Sequence, residues 1–364
     1  MAARTLWVGL DVGADMMAVC GTDDQETVKF EHLIPTDAAA FDDLMRAEKR
    51  RIRLIGLESS TSAIPLTRAL RRSGYRVAVF NSTKASKFLA IRKNKTDKND
   101  ARGLAEIARI GRESVSEVRV KSPECQRLRS MLVRRQKLVN MRKTIESSMR
   151  SLFRLNGGKL RTASTAAARR KNVTSELKHI RKLTKMDLSE DISPLLELSE
   201  TLRAYVEALD LTLSRIAKDH PVCRNFLEIS GVGPLCALSF YTAVEDPARF
   251  KRNADIGPYL GMVPLVRQSG QSTSRRRISK MGNGMTRSYL TNAAFHHLRW
   301  GTSAINTWGR GLMERMSSGR ARVAVARKLA VMMIAMWKSG ERYDPHHGNV
   351  CMNPPNNDEP LLIS

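Results

Sequence analysis

Four acidic residues near the start of the chain have the types and spacing of a metal site. Asp11 ends the apolar stretch LWVGLD, and Glu58 ends the apolar stretch IRLIGLE. Asp97 and Asp100 follow in KTDKNDARGLA and are three residues apart, so on a helix both project from one face. Four such carboxylates could hold two Mg²⁺ ions, a pair that activates an attacking oxygen and stabilises a leaving oxygen in phosphodiester chemistry.

Each of these acids also has a simpler explanation. An aspartate that closes a strand is often a turn residue, and two aspartates on a helix are often solvated. Charge balance alone does not account for Asp97 and Asp100, because residues 92–102 hold five basic residues against two acids and stay net positive. Lys95 and Lys98, which flank the two aspartates, are predicted to guide phosphates to them.

The segment VRQSGQSTSRRRISKMGNGMTRSYL, residues 266–290, combines serines with a run of basic residues. A serine oxygen can attack a phosphate if cations neutralise the phosphate and a base or metal takes the proton. We find no histidine in a Ser/His/Asp context, so metal activation is more credible than a triad. On the residues alone, a flexible basic loop that only binds phosphates explains the segment better. In either case the predicted nucleic-acid contacts are Arg275, Arg276, Arg277, Lys280 and Arg287.

The stretch FLEISGVGPLCALSFYTAV, residues 226–244, has the pattern of a helix-hairpin-helix. Gly231 and Gly233 would let the backbone approach a nucleic-acid strand, and the amides of the following helix could hold a phosphate. The alternative is a turn between two helices that binds nothing.

The elements that must position these residues change along the chain. Residues 1–118 alternate strand and helix patterns, with three antiparallel strands first; this is the order of an RNase H-like α/β fold, and many other α/β folds are also compatible with it. Residues 119–222 carry two long amphipathic helices separated by NGGKLRTASTAAARRKN, and predict a basic antiparallel arm or coiled coil, within one chain or between subunits. Residues 223–342 predict a mostly helical domain, in which Trp300, Trp308 and Trp337 would be core residues. Residues 343–364, rich in proline and asparagine, predict a disordered tail.

The charge is high and unevenly distributed. The net charge is +26, and residues 121–185 hold 19 Lys and Arg against 3 acids, while residues 267–342 hold 15 against 2. Two segregated basic blocks are typical of a protein that follows a nucleic-acid backbone; an anionic membrane is the competing partner. The longest apolar run contains Arg327 and Lys328, so it predicts a buried helix and no membrane span.

The cysteines and the first residues favour a cytoplasmic protein. The five cysteines include no C-x-x-C pair, which argues against a disulfide framework and against a zinc site. MAARTLWVGLDVG lacks the layout of a signal peptide.

With these motifs in hand, the chain resembles the DEDD-type insertion-sequence transposases, the recombinases guided by a bridge RNA. The resemblance is carried by GLDVGAD, GLESS and KTDKNDARGLA, and then by ISGVGPLCAL, RFKRNADIGPYLGMVP and RQSGQSTSRRRISKMGNGMTRSYLTNAA. It spans residues 6 to 340, with the motifs in the family's order.

The resemblance implies a RuvC-like domain whose Asp11, Glu58, Asp97 and Asp100 bind Mg²⁺, a coiled-coil connector, and a C-terminal transposase domain. It implies that Ser269 is the nucleophile that becomes covalently linked to DNA; the chain has QSG where many relatives have SSG, so Ser272 and Ser274 stay open as alternatives. It further implies a homodimer or homotetramer whose two sites come from different subunits, a noncoding bridge RNA that selects the DNA, and a bacterial, nucleoid-associated location.

Three other functions compete with this one. The first is a metal-dependent RuvC-like nuclease in which water is the nucleophile. The second is a nucleic-acid-binding protein without activity. The third, an actin-like ATPase, is disfavoured because the loop after Asp11 lacks a Gly-Thr phosphate cradle.

Overall fold

The computed structural model describes residues 5–90, 96–111, 115–269 and 272–345, and of residues 266–276 it describes the backbone only. The chain divides into two compact units, Met1–Ser122 and Pro123–Ser364. The predicted further division of the second unit at residue 222, and the tail from residue 343, stay predictions.

The first unit is built on a five-stranded mixed sheet in the order β3-β2-β1-β4-β5. Strands β1, β2 and β3 are antiparallel, and β4 and β5 run parallel to β1. The elements are β1 (Thr5–Val12), β2 (Met16–Thr22), β3 (Val28–Pro35), α1 (Ala38–Glu48), β4 (Arg51–Glu58), α2 (Ala63–Arg72), β5 (Val77–Phe80), α3 (Ser82–Leu89), α4 (Asp97–Glu106) and a π-helical turn (Ile107–Gly111).

The local sequence explains these elements. The hairpin between β1 and β2 closes with a bond from the Gly13 amide to the Met16 carbonyl at 3.0 Å. Asp37 caps α1, since its carboxylate accepts from the amides of Ala39 and Ala40. The predicted antiparallel strands followed by helix-linked strands are therefore confirmed, and the mixed sheet with its helices is compatible with an α/β nuclease-like domain. Helix α3 is not among the predicted elements.

The two faces of this sheet bury different clusters. One face packs Val8, Leu10 and Leu57 against Phe41 of α1 and Leu66 of α2. The other face packs Leu54, Ala78 and Phe80 against Leu104 and Ile107. Helix α4 therefore covers the second face of the sheet, on which Asp11 and Glu58 also lie.

The second unit is mostly helical. Its elements are α5 (Pro123–Leu155), α6 (Ala166–Thr184), α7 (Ser189–Asp219), α8 (Pro221–Leu227), α9 (Pro234–Val244), 3₁₀ turns at Pro247–Arg249 and Asn253–Asp255, α10 (Ile256–Tyr259), β6 (Pro264–Ser269), β7 (Ser272–Ile278), α11 (Gly284–Trp300), α12 (Ala304–Arg315) and α13 (Ser318–Ser339).

Helices α5 and α7 lie antiparallel. Arg135 donates to Asp210 (Nη2–Oδ2, 2.9 Å), and farther along α5 Glu146 accepts from Arg203 (Nη2–Oε1, 2.6 Å). The residue number increases along α5 while the number of its partner on α7 decreases, as it must for antiparallel helices. The predicted antiparallel arm is confirmed in this respect; a coiled coil, and pairing between subunits, stay predictions. The segment predicted as a plain link leads into α6, a third helix whose Val173 and Ile180 share a core with Phe153.

A second core forms around α9, α11 and α13, with Phe226, Phe240, Leu290, Leu329 and Met333 fully buried. Leu132 of α5 and Leu213 of α7 belong to the same core, so the base of the arm folds together with the helices that follow it. Among the described residues, no helix combines the length and the apolarity that crossing a membrane would take.

Candidate active site

Asp11 and Glu58 lie side by side at the ends of neighbouring parallel strands. Leu10 of β1 pairs in register with Leu57 of β4, so Asp11 and Glu58 are the next residue of each strand. Neighbouring strands are about 4.8 Å apart. Both residues are partly exposed. The sheet thus brings the first two predicted acids together.

Two glycines show that both acids face α4. Side chains alternate along a strand, so Gly9 shares the face of Asp11, and Gly56 shares the face of Glu58. A Cβ on Gly9 would lie 1.9 Å from the Ala101 carbonyl oxygen of α4, and a Cβ on Gly56 would lie 2.8 Å from the Leu104 carbonyl oxygen. Glycine at both positions therefore lets α4 lie directly on the sheet beside the two acids.

Asp97 and Asp100 occupy the first turn of α4. Thr96 caps this helix, since its Oγ1 accepts from the Asn99 amide at 3.2 Å. Asp97 is exposed and Asp100 half-buried. Acids at this end also stabilise the helix through its dipole, by about 0.3–1 kcal/mol each, so part of their presence has a structural reason.

Arg102 ties α4 to the sheet. Its guanidinium donates to Glu31 of β3 (Nη2–Oε2, 2.8 Å), and this hydrogen bond keeps the pKa of Glu31 below its usual value. Lys98 is exposed on the same helix, whereas Lys95 lies outside the described residues.

The four acids do not close into a metal cage. Within the described ranges, no three His, Cys, Asp or Glu side chains come close enough together to hold a metal ion. The donors nevertheless fit Mg²⁺ in kind, because this ion prefers carboxylate oxygens and usually binds through one or two of them, with water and substrate phosphates completing its shell. The adjacent strand ends provide such a pair, and α4 carries two further acids on its first turn.

The candidate serines lie on a hairpin of the second unit. Ser269 ends β6 and pairs with Ser272 of β7, while Ser274 pairs with Arg267. The prediction of a flexible loop here is wrong, since residues on both sides of the serines form a two-stranded sheet that extends to the pair Pro264 and Ile278.

The predicted basic contacts differ in their surroundings. Arg275 and Arg276 belong to β7, and their side chains lie outside what the structure describes; Arg277 and Lys280 are exposed. Arg287 has an internal role as well, because its guanidinium donates to the Leu260 carbonyl at 2.8 Å (Nη1–O) and so fixes the loop before the hairpin.

The two glycines of the predicted helix-hairpin-helix also differ. Gly231 has a φ of +86°, which favours glycine, and a Cβ there would lie 2.5 Å from the Ala293 carbonyl oxygen of α11, so this turn packs against the protein. Gly233 is the N-cap of α9, and a Cβ there would meet nothing within 4 Å. Only the Gly233 side of the turn is open to a ligand.

Trp300 corrects an expectation from the sequence. Trp308 and Trp337 pack against the core as predicted, but Trp300 is 60% exposed and stacks on His296, with ring centroids 5.0 Å apart. Trp300 is the last residue of α11, and it lies outside the packed face that His297 and Leu298 of the same turn form. The glycine that follows, Gly301, is the sequence signal that the helix ends here.

An α/β nuclease-like domain with paired acids, followed by a basic helical unit, is compatible with an enzyme that acts on nucleic acid. A family model described as "Transposase", of the DEDD type in IS110 elements, matches residues 8–155. A second, described as "Transposase IS116/IS110/IS902 family", matches residues 223–308.

Curated relatives agree with these models over most of the chain. The chain is 28% identical to "Transposase for insertion sequence element IS1111A" of Coxiella burnetii, over 92% of this chain and 90% of that protein. It is 26% identical to "Probable family 20 transposase" of Pseudomonas aeruginosa, over 93% of this chain and 98% of that one. The chain belongs to the IS110 family of DEDD-type insertion-sequence transposases, and it is a DNA transposase.

Proposed function

We propose that this transposase cuts and rejoins DNA at the ends of a bacterial insertion sequence and at its target, with Ser269 as the nucleophile. Asp11, Glu58, Asp97 and Asp100 would hold Mg²⁺. The acids and the serine would come from different subunits of a homodimer or homotetramer. A noncoding bridge RNA of the element would select the DNA by base pairing, a proposal that rests on the family alone.

The observation that carries this proposal is the adjacency of Asp11 and Glu58 on parallel strands under α4. Two acidic residues one strand spacing apart are close enough for one divalent cation to bind both carboxylates. The first turn of α4 adds Asp97 and Asp100 beside Lys98. A positively charged neighbourhood around acids is suited to a substrate that brings phosphates.

The chemistry follows from the residue types. In the proposed step the Ser269 oxygen forms a bond to phosphorus, the bond from phosphorus to the leaving deoxyribose oxygen breaks, and the serine proton passes to a base. Bound Mg²⁺ would neutralise the phosphate and stabilise the leaving oxygen. Arg277, near the end of β7, and Lys280, just after that strand, are both exposed and would hold the DNA backbone.

The experiment is a recombination assay between plasmids that carry the element's joined ends and its target. We expect Ser269→Ala and Asp11→Asn each to abolish recombination and to leave DNA binding within a few-fold of the wild type, while Ser272→Ala and Ser274→Ala stay active. Full activity of Ser269→Ala would show that Ser269 is not the nucleophile. Omitting the RNA should stop recombination, and recombination by the RNA-free protein would contradict selection of the DNA by a bridge RNA.

A second candidate is hydrolysis by a metal-activated water. It is favoured by the fact that all four acids belong to the first unit, which holds none of the three candidate serines. In that case Ser269→Ala would still cleave DNA and Asp11→Asn would not.

A further inference from the structure

The arm contains an arginine-lined cavity that plays no part in the proposed reaction. It has a volume of about 260 Å³ and lies between α5, α6, α7 and the segment that joins α5 to α6. Five arginines line it together with a single acid, Glu146; the arginines are Arg142, Arg150, Arg161, Arg169 and Arg203.

The one carboxylate cannot balance these cations. Glu146 accepts from Arg203 (Nη2–Oε1, 2.6 Å), and its oxygens lie 3.8 Å from Arg142 Nε and 3.6 Å from Arg150 Nη2. Among the lining residues, five guanidinium groups and one carboxylate leave four positive charges, which Glu200 and Glu207 near Arg169 offset only in part. The nearby Glu200 is bonded to Arg170, which does not line the cavity (Nε–Oε2, 2.8 Å).

Three of the arginines have donors left over. In the described part of the chain, the Nε atoms of Arg142, Arg169 and Arg203 are buried and have no hydrogen-bond partner. Buried polar groups are rarely left in this state, so a bound ligand or an ordered water is the expected acceptor of these bonds. One water molecule accepts at most two hydrogen bonds, whereas a phosphate group offers several acceptor oxygens and negative charge together.

The energetics of Arg169 agree with an anion at this position. Burial and the neighbouring Arg203 charge lower the pKa of Arg169 by more than the nearby Glu200, Glu146 and Glu207 raise it. An anion between the two guanidinium groups would offset their repulsion, and guanidinium groups bind phosphate through paired N–H donors.

We infer that this cavity binds a phosphate group of a nucleic-acid strand. Its volume of about 260 Å³ is large enough to take a phosphate group. A nucleic acid is the expected source of the phosphate, because the basic block of residues 121–185 provides most of the cavity lining and the chain is a DNA transposase. The inference rests on the function above only for the statement that the chain acts on DNA.

The test compares three variants of the full-length protein that each lose one positive charge. Arg142→Gln and Arg169→Gln remove hydrogen-bond donors of the cavity. Arg170→Gln is the matched control, because Arg170 follows Arg169 on α6 and does not line the cavity. Binding of a single-stranded oligonucleotide is measured against salt concentration, where each neutralised phosphate contributes about 0.7 to the logarithmic slope. In parallel, inorganic phosphate is titrated while the melting temperature is followed.

We expect the two cavity variants to lose about 0.7 of the slope, and Arg170→Gln to keep the slope of the wild type. Phosphate should raise the melting temperature of the wild type and of Arg170→Gln only. Equal slopes in all three variants would overturn the inference, and equal slopes with a phosphate-induced stabilisation would assign the cavity to a free anion instead. Strand cleavage, assayed on the same proteins, reports separately on the proposed reaction.

Discussion

The close contact between Gly9 and α4 gives a sharp test of how the acids are positioned. In Gly9→Ala the new Cβ would start 1.9 Å from the Ala101 carbonyl oxygen and 2.4 Å from the Ala105 amide nitrogen. Contacts below 3.0 Å are essentially never seen for a real Cβ, so α4 and β1 must separate by about 1.1 Å. Because both partners are backbone, no side-chain rotation can relieve the contact.

The magnitude follows from overpacking. Forcing an extra carbon into a packed interior typically costs about 1–3 kcal/mol, and a backbone contact places Gly9→Ala at the upper end. For a unit of this size 1 kcal/mol corresponds to about 4 °C, so we expect the melting temperature of the first unit to fall by roughly 8–12 °C. The same shift moves Asp97 and Asp100 away from the sheet, so recombination should fall at least about 10-fold even well below the melting temperature.

The assay is scanning calorimetry with recombination measured on the same preparation. Gly311→Ala is the matched control, because the same methyl group there meets nothing within 4 Å and lies in helix α12, where alanine is favoured over glycine by up to about 1 kcal/mol. If Gly9→Ala melted and recombined like Gly311→Ala, α4 would not rest on Gly9, and the positions assigned to Asp97 and Asp100 would be wrong.

Three further predictions follow from burial and charge. His297 is buried between the Ser230 carbonyl and the Ser303 hydroxyl, both at 2.8 Å, and burial lowers its pKa, so its contribution to stability is complete above the unfolded-state pKa of about 6.5 and is lost as pH falls through the lower folded-state pKa. Urea titrations should show a smaller loss on acidification in His297→Gln than in the wild type, and equal losses would contradict this. Burial raises the pKa of Cys223 and Cys236 to about 12, so neither should react with iodoacetamide in the native state, and both should react in denaturant; native labelling would contradict the packing. Mg²⁺ should raise the melting temperature of the wild type more than that of Asp11→Asn, whereas equal shifts would exclude Asp11 as a ligand.

The fold of the first unit is predictable because its signals are local. Asp11 is the penultimate residue of β1 and Glu58 the last of β4, the β1–β2 turn contains Gly13, and Asp37 caps α1. Each is a short-range pattern that needs no tertiary information. The pairing of Asp11 with Glu58 needs only the rule that parallel strands end at one edge. The contact of Gly9 with α4 is not predictable, since it depends on how a distant helix packs.

The second unit is less predictable, because the structure of its polar segments depends on contacts with distant parts of the chain. The hairpin of β6 and β7 lies in a stretch rich in serine and arginine, and such a polar, charged stretch usually indicates a loop. The sequence does contain a hairpin signal, because a two-residue connection that begins with Gly270 separates the two strands. Helix α6 begins in an alanine-rich stretch that was predicted as a link. The role of Gly231 depends on Ala293 of α11, and nothing in the local sequence indicates that contact.

The most direct test of the proposed mechanism is the linkage between protein and DNA. The wild-type protein is incubated with Mg²⁺, the RNA and cognate DNA, denatured in detergent, and the modified peptide is mapped by mass spectrometry. We predict a protein–DNA adduct at Ser269 that persists in Ser272→Ala and Ser274→Ala and disappears in Ser269→Ala and Asp11→Asn. Cleaved DNA without attached protein, or an adduct that survives in Ser269→Ala, would contradict the mechanism.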